Sequence, residues 1–366
     1  MQRCIVCKTK FIQSHDFYSA LCVKCGDLNY RKRQETADLQ GMTALVTGAR
    51  IKIGYAVTLR LLRAGAKVIA TTRFPNNAAT KYAAEPDFSE WKHQLQIYGL
   101  DLRNLATVEQ FAQHIRHFYP RLDIIINNAA QTIRRPSAFY RHLIPLENLT
   151  PKELSGEIKT LLAQDLNLRE TTLEIQKIPL ISGEVEEDGE LFPLGEKEEE
   201  MMDLRPFNSW LMKDDEVSIL ELLEVHVINA IAPFIINSRL KQLMSQEQQT
   251  SKYIINVSSM EGRFNGVDKP WRHPHTNMAK AALNQMTRTC AKEYAKYKIF
   301  MNGVDPGWIS FQHPYPQAKT MMERGVKPPF DVIDAAARIC DPIYVGLNQN
   351  FHPFGKLFKD YFETNW

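Results

Sequence analysis

The sequence runs to 366 residues, 44% of them hydrophobic, 24% charged and 10% aromatic, and its 45 Lys and Arg against 42 Asp and Glu leave a net charge of +3. These proportions exclude a disordered or fibrous chain, and so small a net charge provides no global field to recruit nucleic acid or an anionic membrane. No uninterrupted apolar run approaches the roughly 18 to 20 residues of a membrane span, and the opening MQRCIVCKTK lacks the apolar stretch of a secretory signal. A reducing, cytoplasmic setting is therefore expected, with no membrane as partner.

Four of the six cysteines stand at Cys4, Cys7, Cys22 and Cys25, two C-x-x-C pairs with fourteen residues between them. Each pair can present two sulfurs to one ion from a tight turn, so the spacing predicts a structural zinc site. Two disulfides are disfavoured by the expected compartment, and a thioredoxin-like redox pair would need a βαβ context that is missing. His15 could substitute as a ligand, but four thiolates already close such a site. Cys290 and Cys340 lie in apolar helical surroundings and are expected to be buried free thiols. Residues 1–40 form a module too small to hold a core without metal. The run Asn29-Tyr30-Arg31-Lys32-Arg33 reads as the solvated face of a basic linker. Nine Lys and Arg against four Asp and Glu in residues 1–52 make a nucleic-acid-binding ribbon the alternative, although nucleic acid is not the expected partner.

From Gly41 apolar strands alternate with amphipathic helices, which predicts an α/β domain over 41–366 with a doubly wound parallel sheet covered on both faces. Met42 to Thr47 is expected as a buried strand, followed by a Gly-bounded turn and a helix from about Ile53 to Ala64. Lys67 to Thr71, Leu95 to Leu100 and Leu122 to Ile126 continue the strands, with a helix around Val108 to His117. Lys252 to Val257 and Lys298 to Val304 complete the series, joined by a helix from Asn277 to Tyr297. Right-handed crossovers place every strand C-terminus on one edge, where a ligand would bind. Between about 131 and 215 the rhythm breaks. This reads as an insertion, and residues 184–200, with nine acidic side chains against one Lys, are expected as a mobile, solvated loop.

Five segments followed by a closing turn resemble the short-chain dehydrogenase/reductase family over about residues 41–310. TGARIKIGY follows the first strand, and Gly48 and Gly54 would let the backbone approach a pyrophosphate on the helix N-terminus. Ile51 or Lys52 stands where the family commonly has a middle glycine; Arg50 and Ile53 share this loop. Asp101-Leu102 is similar to the family's adenine-contacting position. Asn127-Asn128-Ala129-Ala130 resembles its Asn-Asn-Ala-Gly turn beside the nicotinamide ribose. Asn229 sits on a long apolar helix like the family's active-site Asn, where either a water relay or a structural hydrogen bond would satisfy its amide. Ser259 and Lys280 match the family's Ser and Lys, but Thr276 stands where its Tyr belongs. Pro306, Gly307 and Ile309 resemble the turn beneath the nicotinamide, with Phe311 where a Thr often follows.

The resemblance implies a Rossmann fold and an oxidoreductase using a nicotinamide dinucleotide on a small carbonyl or alcohol substrate. Lys280 would hold the ribose hydroxyls and Ser259 would polarise the carbonyl. An aliphatic hydroxyl such as Thr276 is too weak an acid to replace a phenol, so His273, His275 or a water would have to close the proton path. The second strand ends Thr71-Thr72-Arg73-Phe74 without the carboxylate that suits a ribose diol. Arg73 with Arg50 or Lys52 would instead suit a 2′-phosphate, which favours NADP(H) over NAD(H). The alternative is an inactive dinucleotide sensor or scaffold whose zinc knuckle or acidic insertion contacts a protein partner. Relatives commonly pair through the two helices that here carry Asn229 and Lys280, which implies a homo-oligomer.

Overall fold

The computed structural model describes residues 2–150, 152–163, 189–195, 201–247, 249–264 and 271–366. A small antiparallel ribbon, β1 (Gln2–Arg3) and β2 (Lys10–Phe11), and helix α1 (Val23–Gln34) build the N-terminal module. The main sheet follows the expected pattern. Strands β3 (Thr43–Thr47), β4 (Lys67–Thr72), β5 (Leu95–Gly99), β6 (Ile124–Asn127), β7 (Lys252–Val257) and β8 (Ile299–Asp305) are all parallel, in the order β5-β4-β3-β6-β7-β8. A short hairpin, β9 (Leu357–Lys359) and β10 (Phe362–Thr364), extends the β8 edge.

Alternation along the strands divides the core in two. Ala44 and Val46 of β3 face helices α2 (Lys52–Arg63) and α8 (Val332–Gln349), whereas Leu45 faces α4 (Leu105–Phe118) and α5 (Ile219–Ser245). Both faces are thus apolar, as a parallel sheet requires. Helix α3 (Pro75–Ala83) covers the β4–β5 end, and α6 (Pro274–Ala295) and α7 (Tyr315–Glu323) complete the set. Two helices begin three residues earlier than periodicity suggests, for identifiable reasons. Asn104 caps α4 by accepting from Thr107 N at 3.1 Å, and Pro274 occupies the first turn of α6.

Helix α5 is long and apolar enough, by length and composition alone, to cross a membrane. It nevertheless buries Glu221, Glu224, Asn229 and Asn237 along with Ile236 and Leu240, the composition of a core helix with polar partners rather than of a lipid-facing one. One turn of it, Val227–Ile231, is a π-helix.

One expectation about the N-terminal module needs correction. The basic run is not a solvated linker face: Lys32 pairs with Asp341 at 2.6 Å and Arg33 with Asp331 and Asp334 at 2.7 and 2.9 Å, all on or capping α8. The cations hold the module against the domain, and the partners lie some 300 residues away in sequence, out of reach of local pattern. The region expected as an insertion, 131–215, contributes to the core. Leu154, Leu161 and Leu162 join it, and Leu162 bridges in parallel to Ile97 of the edge strand β5. The acidic run lies mostly outside the described residues. Cys340 is buried as expected, while Cys290 is only half-buried.

Candidate active site and four-cysteine centre

The parallel strands bring the family-like residues to one edge. After β3 the chain turns at Gly48, whose φ of +69° is left-handed and where a Cβ would stand 2.8 Å from Ala129 Cα. At Gly54 a Cβ would overlap the Gly48 carbonyl and the Asn128 amide. Lys52, in place of a middle glycine, still takes a left-handed φ of 53°, so the loop keeps a backbone that glycine adopts more readily. Asn128 ties the two turns together, donating to the carbonyls of Thr47 and Gly48 at 3.0 and 3.2 Å. The Thr47 hydroxyl accepts from the N–H groups of Asn128 and Ala129 at 3.1 and 3.0 Å. With Ile53 in the first turn of α2, this is a close-approach cradle ending in a helix N-terminus, which fits a pyrophosphate.

Beyond β4, Arg73 lies 4.4 Å over the Tyr140 ring and 5.4 Å over Phe74, and Arg50 also lies 5.4 Å over Phe74. Arg50 donates to Asn77 at 3.0 Å. Two guanidiniums stacked around aromatic rings suit an adenosine phosphate better than a bare ribose diol. The carboxylate that follows the neighbouring strand β5, Asp101, is engaged by Arg103 at 2.6 Å. Burial works against its charge, but the Arg103 hydrogen bonds outweigh burial and keep the carboxyl below its usual range. Leu102 beside it is buried.

The residues that resemble the family's Ser, Tyr-position and Lys lie between β7 and α6. Lys280 is buried and donates to the Val257 carbonyl at 2.8 Å. Loss of water pulls its ammonium down to about 8, against smaller opposing effects of Glu261 and Asp305. Ser259 follows β7 in extended backbone. Thr276, one turn before Lys280, has its hydroxyl 3.4 Å from the Thr132 carbonyl. Asn229 lies in the π turn, a geometry frequent at functional sites. Its amide is spent structurally, donating to Gln131 O and accepting from Gln131 N, each at 2.8 Å.

His273 and His275, the histidines that could close the proton path, are both buried. His273 has a left-handed φ of 42° and stacks on Trp210 at 3.9 Å, and burial lowers its basicity. His275 is 1% exposed and faces Glu221 at 3.8 Å. Burial raises Glu221, but its contacts with His275, Ser209 and the Arg134 N–H hold it below its usual range.

After β8, Asp305 accepts from Gly307 N at 2.8 Å and from Lys359 at 2.9 Å, fixing the Pro306-Gly307 turn, in which Gly307 has φ of +90°. Ile309 then packs into the apolar cluster of the N-terminal module.

In that module the sulfurs of Cys4, Cys7, Cys22 and Cys25 all lie within 4.8 Å of one another. The Cys7–Cys22 sulfur separation of 3.8 Å matches the roughly 3.8 Å edge of a tetrahedron with metal–sulfur bonds of about 2.3 Å. The donor set fits zinc, with all four expected ligands in place.

Sequence reasoning missed a buried amide network that joins the same elements. Asn127 donates to Asn237 and Asn256 at 2.9 and 2.8 Å, and Asn256 donates to Thr287 at 2.8 Å. The interruption of the apolar strands IIIN and KYIINV by Asn was the available signal. Tyr140, from the supposed insertion, was also missed and carried none.

The comparisons agree with this geometry. A family model described as short chain dehydrogenase matches residues 42–143, and one described as Enoyl-(Acyl carrier protein) reductase matches 212–327. An uncharacterized protein of Acanthamoeba polyphaga mimivirus is 33% identical over 354 residues, 93% of this chain and 71% of its own length. Carbonyl reductase (NADPH) 1 of Sus scrofa is 25% identical over 78% of this chain and 84% of its own. Among solved structures, the NADPH-bound carbonyl reductase from chicken fatty liver superposes with a TM-score of 0.55 at 18% identity, covering 90% of this chain and 100% of that one. With matched segments on both sides of residues 144–211 and a parallel sheet carrying the Gly48–Gly54 cradle at its edge, the chain belongs to the short-chain dehydrogenase/reductase family.

Proposed function

We propose that the protein is an NADP(H)-dependent oxidoreductase that interconverts a carbonyl and an alcohol with an altered proton donor, and that it carries a structural zinc. The observation that carries the reading is Lys280, a buried ammonium kept at the strand edge beside the turn that follows β8. A structural lysine would have little reason to stay buried against a backbone carbonyl with, among the described residues, no carboxylate in ion-pair contact and only the longer-range charges of Glu261 and Asp305 in its favour.

Gly48, Ile53 and Gly54 would hold the pyrophosphate, Arg50 and Arg73 the 2′-phosphate, and Asn128, Ala129, Lys280 and the Pro306-Gly307-Ile309 turn the nicotinamide half. The bound cofactor supplies or takes up the hydride. Ser259 polarises the substrate oxygen. With its pKa near 8, Lys280 can release a proton through water at neutral pH, which Thr276 cannot. His273 and His275 are turned into packing and are not needed for that path. The relatives named as NADPH-dependent support the choice of cofactor and the carbonyl substrate class. Titration calorimetry tests it: NADPH should bind more tightly than NADH, and Arg73→Ala should weaken NADPH by about tenfold or more while leaving NADH nearly unchanged. Equal affinities that are unmoved by Arg73→Ala would refute the NADP(H) assignment.

A second reading, a dinucleotide sensor without turnover, is favoured by one observation: the Thr276 hydroxyl is directed at the Thr132 carbonyl. Tight NADPH binding without oxidation of NADPH across a panel of aldehydes and ketones would select it.

A further inference from the structure

The N-terminal module does not sit at random on the domain. Its apolar interior, made of Cys4, Tyr18, Leu21 and Cys25, is completed by Phe330 and by Ile309 of the segment that follows the Gly307 turn. A continuous series of contacts runs from a metal ligand to that turn. The Cys25 carbonyl accepts from Asn29 at 2.7 Å, and Asn29 in turn accepts from Arg338 at 2.5 Å. The Arg338 guanidinium lies 3.8 Å over the Phe330 ring. An edge carbon of that ring is 3.1 Å from where a Gly307 Cβ would stand.

Asn29 is fully buried and Arg338 is 2% exposed. Arg338 Nε has no hydrogen-bond partner among the described residues and lies 3.8 Å from the same Gly307 Cβ position. Simple anchoring of a terminus does not need a buried guanidinium threaded between the module and a loop; the ion pairs of Lys32 and Arg33 already provide anchoring. Arg338 also donates to the Asp334 carbonyl at 3.1 Å and lies 3.5 Å from Asp360, but its shortest bond is the one to Asn29, so loss of that acceptor should loosen the guanidinium where it meets the Phe330 ring.

We propose that the four-cysteine module is a brace for the nicotinamide-side turn, with Asn29, Arg338 and Phe330 as positioning residues that set the course of Gly307–Ile309 from the metal-held start of α1. The inference rests on the dinucleotide reading above. The module then contributes to only one half of the cofactor site, because the adenosine half at Arg50, Arg73 and Tyr140 lies at the β3–β4 end of the sheet, and β7, β6 and β3 separate β4 from β8 in the strand order.

The test uses the zinc-loaded full chain, with NADPH and adenosine 2′,5′-bisphosphate as probes. Asn29→Ala and Phe330→Leu should each weaken NADPH by about tenfold, the loss of one charged hydrogen bond or one ring contact. Both should leave adenosine 2′,5′-bisphosphate within about twofold, which also shows that the variants are folded. Amide exchange at Gly307, Trp308 and Ile309 should speed up in both variants and on removal of zinc by a chelator. Unchanged NADPH affinity in both variants, or equal weakening of both probes, overturns the brace. Should the wild type bind neither probe, the dinucleotide reading fails, and the brace is decided by the exchange arm: protection of the turn that does not respond to zinc removal overturns it.

Discussion

Replacing Lys280 by Met should make the protein more stable and less active, and the size of the gain follows from the site. Burial lowers the ammonium from 10.5 to about 8, a penalty on the charged form of about 3 kcal/mol at about 1.4 kcal/mol per pH unit. Met has nearly the same shape and carries no such penalty, but it leaves the Val257 carbonyl without its donor, a loss of about 1 to 2 kcal/mol. The net gain at pH 7 is therefore about 1 to 2 kcal/mol. Its pH dependence is fixed in sign. Between about 8 and 10.5 the unfolded chain holds the proton and the folded chain does not, so wild-type stability rises with pH in that window. The advantage of Lys280→Met is complete below pH 8, shrinks above it, and reverses as pH 10.5 is approached. Urea unfolding of both proteins at pH 7 and pH 10, followed by circular dichroism with equal slopes, measures it. A variant less stable than wild type at pH 7 by about 1 kcal/mol or more, or a difference that does not move with pH, would refute the argument that Lys280 is retained at a cost to stability.

Metal analysis of protein purified without chelator should find one zinc per chain, lost in Cys25→Ser; protein without zinc would remove the metal assignment. The exposed faces of α5 and α6 display Ile219, Leu223, Phe234 and Met278, an apolar surface suited to a second copy of the chain. Light scattering should show a dimer that Phe234→Glu weakens by about a hundredfold, and a monomeric wild type at high concentration would dismiss that interface.

Much of this architecture was legible in the residues because its causes are local. Buried strands such as TALVT and KVIAT, with glycines where the backbone must come close, announce a doubly wound sheet. The two C-x-x-C pairs announce their own convergence. What failed had distant causes. Nothing near Lys32 or Arg33 shows that Asp341, Asp331 and Asp334 await them, and nothing near His275 shows that Glu221 will draw it inward. Lys52 is instructive in the other direction. The missing glycine suggested an altered loop, yet the chain accepts a left-handed lysine there, since neighbouring contacts over-determine the turn.

The contacts between the N-terminal module and α8 also constrain the order of assembly. Tyr18 donates to Asp334 at 2.6 Å across a separation of 316 residues. During synthesis at about 5 to 20 residues per second, the cysteines emerge about 15 to 60 seconds before the helix that receives them. They can capture metal in that interval, but the apolar side formed by Tyr18 and Leu21 stays uncovered until Phe330 and α8 have been made. Docking of the module is therefore a late step of maturation, and a truncated or stalled chain would display a metal-loaded but sticky N-terminus.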